Sequence, residues 1–330
     1  MKKCVFILPY FGKFKNYFPL FLKSCGSNSD FDWLLITDVQ ITDPIPPNVQ
    51  IRRMSFEGLR KRIQSKFDFE ISLPYPYKLC DFKPAYGLVF EEWIQEYEWW
   101  GYCDCDLILG NLSKFLFPLF EKEYDKLFAV GHMTLYRNTY WNNRRFMKPL
   151  HGKDCYRLAF SMPEIRTFDE DYWTETYHDE NVHQIFLADH ANVFQKDFCF
   201  GVSQFRTQFC RAKYAEGTGR FPIQPYEKAL FLWESGDLKR ITLGIDGQLK
   251  EEEFLYIHLQ GRKMRYSGTV LAASVFQIYP NGFRRIEKIP TSRIEWEWKA
   301  RYSPNLQIIR KKWSNLKLRL SKRRRKHGGK

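Results

Sequence analysis

The first 130 residues alternate strand-length apolar runs with amphipathic ones, and this alternation limits the possible fold more than any other feature. Residues 4–8, 31–37 and 49–53 are too short for buried helices and are bounded by turn residues, so they read as strands. Between the first two, residues 17–24 carry a helical apolar pattern. Ser55 stands where a cap opens a helix running to Lys66. Pro84 suits the first turn of another helix, expected over 84–97, and an aromatic strand ending in Asp104-Cys105-Asp106 follows. Strands alternating with helices predict an α/β fold with a doubly wound sheet. Such sheets bind ligands outside the carboxyl ends of their strands. Pro9-Tyr10, Thr37-Asp38 and Asp104-Cys105-Asp106 would therefore line one crevice.

After Gly131 the pattern loosens. Residues 132–145 mix aromatics, Asn and Arg, which suits a polar binding wall. Residues 169–179 are acidic and aromatic and lead through Asp179-Glu180-Asn181 into an apolar segment, 182–188, read as a helix. Shorter strands are expected at 239–245 and 254–259. No repeat or linker interrupts the body. It divides into an α/β half (1–130), a second half of the same domain (131–300) and a tail (301–330).

Several classes are excluded. There is no Gly-x-Gly-x-x-Gly and no Gly-x-x-x-x-Gly-Lys-Ser/Thr, hence neither a dinucleotide fingerprint nor a phosphate-cradling loop. No apolar run reaches the roughly 18–20 residues that cross a bilayer. The apolar start stops at Pro9, short of a signal sequence, and reads as the first strand of a cytosolic protein. The eight cysteines are scattered without a zinc-like pairing, which fits reduced thiols packed as small hydrophobes.

The chemistry centres on Asp104 and Asp106. In an extended chain they point to one side, with Cys103 and Cys105 on the other. Two carboxylates so close repel, and a divalent cation between them relieves the repulsion. An Asp-x-Asp metal site is the expectation.

Three stretches taken in order, Lys83-Pro84-Ala85-Tyr86-Gly87, Asp104-Cys105-Asp106-Leu107-Ile108-Leu109-Gly110-Asn111-Leu112 and His258-Leu259-Gln260-Gly261-Arg262-Lys263, resemble nucleotide-sugar glycosyltransferases of the GT-A fold. The resemblance is to the retaining family that includes glycogenin and lipopolysaccharide galactosyltransferases. The opening and the Asp-x-Asp block are also similar to an uncharacterised bacterial family of surface-polysaccharide gene clusters. This resemblance implies a GT-A, Rossmann-like mixed sheet and transfer of a hexose from a UDP-sugar to a saccharide or lipid-linked acceptor, with Mn²⁺ or Mg²⁺ bound. It implies His258 as a third metal ligand beside Asp104 and Asp106, with Asp104 shared between metal and ribose. The family's His-x-x-Gly-x-x-Lys pattern departs here, because Lys263 comes one residue early. Arg262, Lys263 or Arg265 is then left to meet the β-phosphate. Pro9, Tyr10, Thr37 and Asp38 would form the nucleoside pocket, and Lys83 would contact the donor. Asp179 and Glu180 would face the transferred sugar, as a base if configuration inverts and without that duty if it is retained.

The tail follows a separate logic. Of the formal net charge of +14, the stretch 306–330 carries eleven Lys or Arg and no acid. Ile309, Trp313, Leu316 and Leu320 recur at helical spacing, so the tail reads as a basic amphipathic helix on an anionic membrane surface. This places the protein at the inner face of a plasma membrane, without nucleic acid as a partner. A nucleic-acid or polyanion binder using the tail is one competing reading. An Asp-x-Asp phosphatase is another, but it would need its aspartate in the first strand with Thr or Val soon after, where Leu107 and Ile108 stand in a late one.

Overall fold

The computed structural model describes residues 2–172, 179–301 and 303–327, with the backbone alone for residue 2 and for 318–327. β1 (Lys2–Pro9), β2 (Phe31–Thr37) and β3 (Val49–Arg53) pair in parallel. Helix α1 (Phe18–Gly26) links the first two, and α2 (Phe56–Gln64) follows the third, its first turn closed by the Gly58 N–H donating to Ser55 Oγ. One-turn helices α3 (Leu79–Phe82) and α4 (Tyr86–Val89) precede β4 (Tyr97–Cys103), which lies parallel on the other side of β1. β5 (Leu107–Leu109) leaves this sheet, and α5 (Leu112–Phe120), capped by Asn111, leads back to the antiparallel pair β6 (Lys126–Val130) and β7 (Met133–Arg137). α6 (Cys155–Ser161) and α7 (Val182–Ala188) come before β8 (Val193–Phe194). The resulting mixed sheet has the order β3-β2-β1-β4-β7-β6-β8.

Alternation along β1 assigns the two faces. Val5 and Ile7 pack with Leu59, Tyr86, Phe160 and Phe186 of α2, α4, α6 and α7. Cys4, Phe6 and Leu8 pack with Phe21, Leu112 and Leu116 of α1 and α5. Helices on both faces make this the doubly wound mixed α/β fold expected from the sequence.

The second half adds β9 (Phe200–Gly201), β10 (Leu230–Glu234), β11 (Asp237–Leu243), β12 (Leu249–Glu253) and β13 (Tyr256–His258). After α8 (Gly268–Leu271) come β14 (Val275–Tyr279), β15 (Gly282–Arg285) and α9 (Arg293–Lys299). An antiparallel sheet runs β12-β11-β10-β14-β15, and a small sheet, β5-β13-β9, joins the two halves. The last helix, α10 (Leu306–His327), starts at a fastened point. Asn305 donates its backbone N–H to the Thr207 carbonyl and accepts from the Ile308 N–H, and the Lys263 N–H donates to Gln307 Oε1. Beyond it Trp313 and Leu316 are exposed, as an unpartnered apolar stripe would be, while Ile308 is buried and the Leu320 side chain is outside those described. No described helix is long and apolar enough to cross a membrane. All eight cysteines are free and seven are buried.

Two expectations fail. Residues 84–97 do not form one helix. Pro84 to Phe90 are buried on every side rather than along a stripe, and a Cβ on Gly87 would lie 2.5 Å from the Trp100 ring. The chain therefore turns in short pieces beneath the sheet, through 3₁₀ turns at Lys83–Ala85 and Glu91–Trp93. Residues 132–145 form no continuous binding wall: His132 lines the cleft described below, but the Asn and Arg residues after it are turned into the fold. Asn143 accepts from Trp100 Nε1, Asn142 donates to Asp125, and Arg144 forks onto Glu91, so these polar groups serve the interior.

A buried polar pair makes the fold acid-sensitive. Lys126 Nζ and His183 Nδ1 share a hydrogen bond of 3.0 Å, and His183 Nε2 meets Gln195. Burial pulls the His183 pKa down to about 3. Below its unfolded value near 6.5 the unfolded chain takes up a proton that the folded chain refuses, so stability falls from about pH 6.5 toward pH 3. His183→Gln is expected to flatten this slope. Melting temperatures at pH 7 and pH 4.5 test it, and equal losses in both proteins would remove His183 as the cause.

Candidate active site

The small joining sheet assembles the site. β13 pairs antiparallel with β5 so that His258 stands opposite Leu107, next to Asp106. The ladder continues one step, the Leu259 N–H donating to the Asp106 carbonyl. A left-handed turn follows at Gln260 (φ 48°) and Gly261 (φ 66°), and it aims the Gly261 N–H at Asp106 Oδ2, 2.7 Å away. Asp104 and Asp106 sit in the turn between β4 and β5 rather than within a strand. They still share a direction. His258 Nε2 lies 3.2 Å from Asp106 Oδ1 and 3.8 Å from Asp104 Oδ2, and Cys103 and Cys105 are buried in the core cluster with Phe21 and Leu112.

Ligand atoms of Asp104, Asp106 and His258 all lie within 4.8 Å of one another. The other ring nitrogen, His258 Nδ1, is buried with no partner among the described residues, so the imidazole's polar commitment is made through Nε2 to the carboxylates. Burial favours the neutral ring, but the Asp106 carboxylate outweighs it and raises the pKa of His258. Burial opposes ionisation of Asp106 as well, yet His258 and the Gly261 N–H hold its carboxyl well below the usual carboxylate range. Two carboxylates and an imidazole converging on one point fit a divalent cation of borderline softness. A second acidic group, Cys80, Asp81 and Asp169, does not need one, because Asp81 already accepts from Lys78 Nζ and from the backbone N–H groups of Arg166 and Phe168.

Around the triad lies a cleft of about 650 Å³ at the carboxyl ends of β1 and β4. Pro9 and Tyr10 line it. The Tyr10 ring stacks on Phe14 at 4.4 Å, and its hydroxyl donates to the Lys13 carbonyl. Lys83 crosses the floor. Its Nζ is 3.0 Å from Asp104 Oδ1, 3.2 Å from Asp169 Oδ2 and 2.6 Å from the Gly131 carbonyl. Burial would discharge the amine, but the two carboxylates outweigh it and keep Lys83 charged. Lys83→Met should cost about 3 kcal/mol, because it strands Asp169, 5% exposed, without its cation. Urea denaturation measures it, and a loss below about 0.5 kcal/mol would show that the pair contributes nothing.

Other expected residues lie elsewhere. Thr37 is fully buried and its Oγ1 accepts from the Val39 N–H, while Asp38 faces solvent outside the cleft lining. β2 ends level with β1 but lies on the side of it away from β4, and its tip is not part of the cleft lining. Glu180 is held between Arg166 and Lys153, each at 2.7 Å, and Asp179 lines a separate surface hollow beside Arg220 and Pro222. The cap of α7 is Asn181. Arg262 is turned away from the cleft into the interior, where it donates to the carbonyls of Ser203 and Arg206. Lys263 is exposed outside the lining, and Arg265 spends its backbone N–H on Asn281. Residues 173–178 of the expected sugar-facing segment lie outside the described residues.

In their place the cleft holds groups that sequence reasoning passed over. Asp169 and Glu170 face it, admitted by the turn at Gly131, whose missing Cβ would lie 2.8 Å from Asp169 Oδ2. The Gly131 N–H donates to Glu170 Oε2. Lys15 stands at the mouth, its Nζ 3.8 Å from where a Gly261 Cβ would be. His132 closes the back. Its Nδ1 shares a hydrogen bond of 2.7 Å with the Tyr256 hydroxyl, and burial keeps its ring neutral.

Residues 6–287 match the family described as "Family of unknown function (DUF6625)". No curated protein gives a significant match. Among solved structures, the chain is similar to mouse xyloside xylosyltransferase 1 in its apo form, at 8% identity over 61% of this chain and 88% of that one, with a TM-score of 0.36. It is also similar to the apo form of the glycosyltransferase GlyE from Streptococcus pneumoniae TIGR4, at 14% identity over 61% and 47%, with a TM-score of 0.32. A third is the galactosyltransferase LgtC in complex with donor and acceptor sugar analogues, at 10% identity over 60% and 75%, with a TM-score of 0.31. At these values the likenesses are too slight to assign chemistry.

Proposed function

The chain belongs to the Family of unknown function (DUF6625), and we propose that it is a metal-dependent glycosyltransferase moving a hexose from a UDP-sugar to a saccharide acceptor, lipid-linked, in the synthesis of a bacterial surface polysaccharide. The observation that carries this reading is the convergence of Asp104, Asp106 and His258 in a cleft at the carboxyl ends of parallel strands. Mn²⁺ or Mg²⁺ bound there supplies the charge that lets a diphosphate leave.

This chain's own residues prepare that event. Lys83 fixes one oxygen of Asp104 and leaves Oδ2 turned toward His258. The Gly261 N–H and His258 hold Asp106 from two sides, so neither carboxylate must reorganise when phosphate arrives. Lys15 at the mouth is the cation placed to meet a phosphate, the role Arg262 cannot take from the interior. Pro9 and Tyr10 form the wall for the nucleoside. The sequence resemblance further implies retention of anomeric configuration. The exposed Trp313 and Leu316 stripe among basic residues suits contact with an anionic membrane surface carrying the acceptor.

Isothermal titration with UDP tests the reading. Binding is expected in the presence of Mn²⁺ and is lost when EDTA removes the ion. Equal binding with and without the metal would overturn it.

A further inference from the structure

A second hollow, of about 590 Å³, opens off the cleft, and the two share His132, Glu170, Gln204 and Gln260 as a common wall. Its chemistry differs from the cleft's. The cleft is built on carboxyl groups, Lys83 and His258, whereas this hollow shows ring faces and amides. Phe205 is 64% exposed and Tyr172 is 43% exposed, and Tyr172 lies 6.3 Å from the Phe221 ring at a tilt of 43°. Large rings left half in water inside a concavity gain nothing from the core, and they match the flat C–H face of a pyranose. Gln204 and Gln260 offer both donors and acceptors to ring hydroxyls. Among the described residues, the charged side chains lining it are one acid, Glu170, and one base, Arg220.

We propose that this hollow is the acceptor subsite for a neutral saccharide, stacked on Tyr172 and Phe205, with Glu170 receiving the hydrogen bond of the attacking hydroxyl. The placement rests on the glycosyltransferase reading above and goes beyond it in naming the acceptor's class and its contacts. Glu170 sits where the two spaces meet, with its Oε2 already oriented by the Gly131 N–H. A hydroxyl held there points into the cleft toward the metal triad. In the transfer, the acceptor oxygen bonds to the anomeric carbon and the bond from that carbon to the diphosphate oxygen breaks. The electron pair leaves with UDP, which takes the hydroxyl proton.

The test uses the full chain with lactose, maltose and cellobiose as neutral probes, followed by saturation-transfer NMR, and UDP titrated with Mn²⁺ in parallel. At least one disaccharide is expected to bind. Phe205→Ala and Tyr172→Ala should each weaken it about tenfold while UDP affinity stays unchanged. Glu170→Gln should keep both ligands but lose the disaccharide-stimulated release of UDP from UDP-hexose. The subsite is overturned if no disaccharide binds, or if binding is the same in both aromatic variants. Disaccharide binding that depends on Phe205 without any UDP binding would instead refute the donor reading and leave the subsite standing.

Discussion

Asp106→Asn is expected to lower transfer by about three orders of magnitude, with the fold intact. Asparagine keeps the shape, and its side-chain carbonyl oxygen can still accept from the Gly261 N–H, so the turn at Gln260 and Gly261 survives. It loses the charge that draws His258 Nε2 to 3.2 Å and the oxygen best placed to ligate a cation. Asp104 cannot substitute, because one of its oxygens is committed to Lys83 and the other lies farther from the imidazole, at 3.8 Å. UDP release from a UDP-hexose with Mn²⁺ measures the effect. Circular dichroism checks that the variant folds. Activity within about tenfold of the parent would show that Asp106 is no metal ligand.

The second large effect is on stability. Gly110→Ala should destabilise the protein by about 3 kcal/mol. A Cβ there would lie 2.3 Å from the Phe254 carbonyl oxygen and 3.1 Å from Leu238 Cβ, and a backbone oxygen cannot swing aside as a side chain can. The glycine is also pinned on both sides. Its N–H donates to the Leu255 carbonyl and its own carbonyl accepts from Asn28 Nδ2. Relief would require β5 and β13 to part, and their pairing sets His258 beside Asp106. Activity should therefore fall along with the urea midpoint. An unchanged midpoint would mean that the segment after β5 is soft.

The sheet was legible because β1 and β2 are continuous apolar runs buried on both faces, a pattern that leaves few alternatives. The segment 84–97 was not, since Pro84 is a sound local cue for a helix but Gly87 answers to the Trp100 ring beneath it. The Asp-x-Asp pair could be read from its own spacing, whereas His258 entered only through the family resemblance, its pairing with β5 being long-range. Of the acids after Phe168, the family resemblance pointed to Asp179-Glu180, an acidic pair just before a helix. The acids that reach the cleft, Asp169 and Glu170, are chosen by the Gly131 turn, some forty residues earlier. Arg262 was misplaced for a similar reason. Its fate depends on carbonyls at Ser203 and Arg206 that nothing in its neighbourhood announces.

The joining sheet has a consequence in time. Asp106 and the Gly261 N–H that secures it are 155 residues apart, and β13 must settle between β5 and β9 before they meet. During synthesis the seven-stranded sheet can be complete while the carboxylates remain without a partner, so the nascent chain carries an inert half-site. Closing so long a loop comes after local structure has formed. On refolding, catalytic competence should therefore lag the return of sheet signal, and the interval reports the docking of a single three-residue strand.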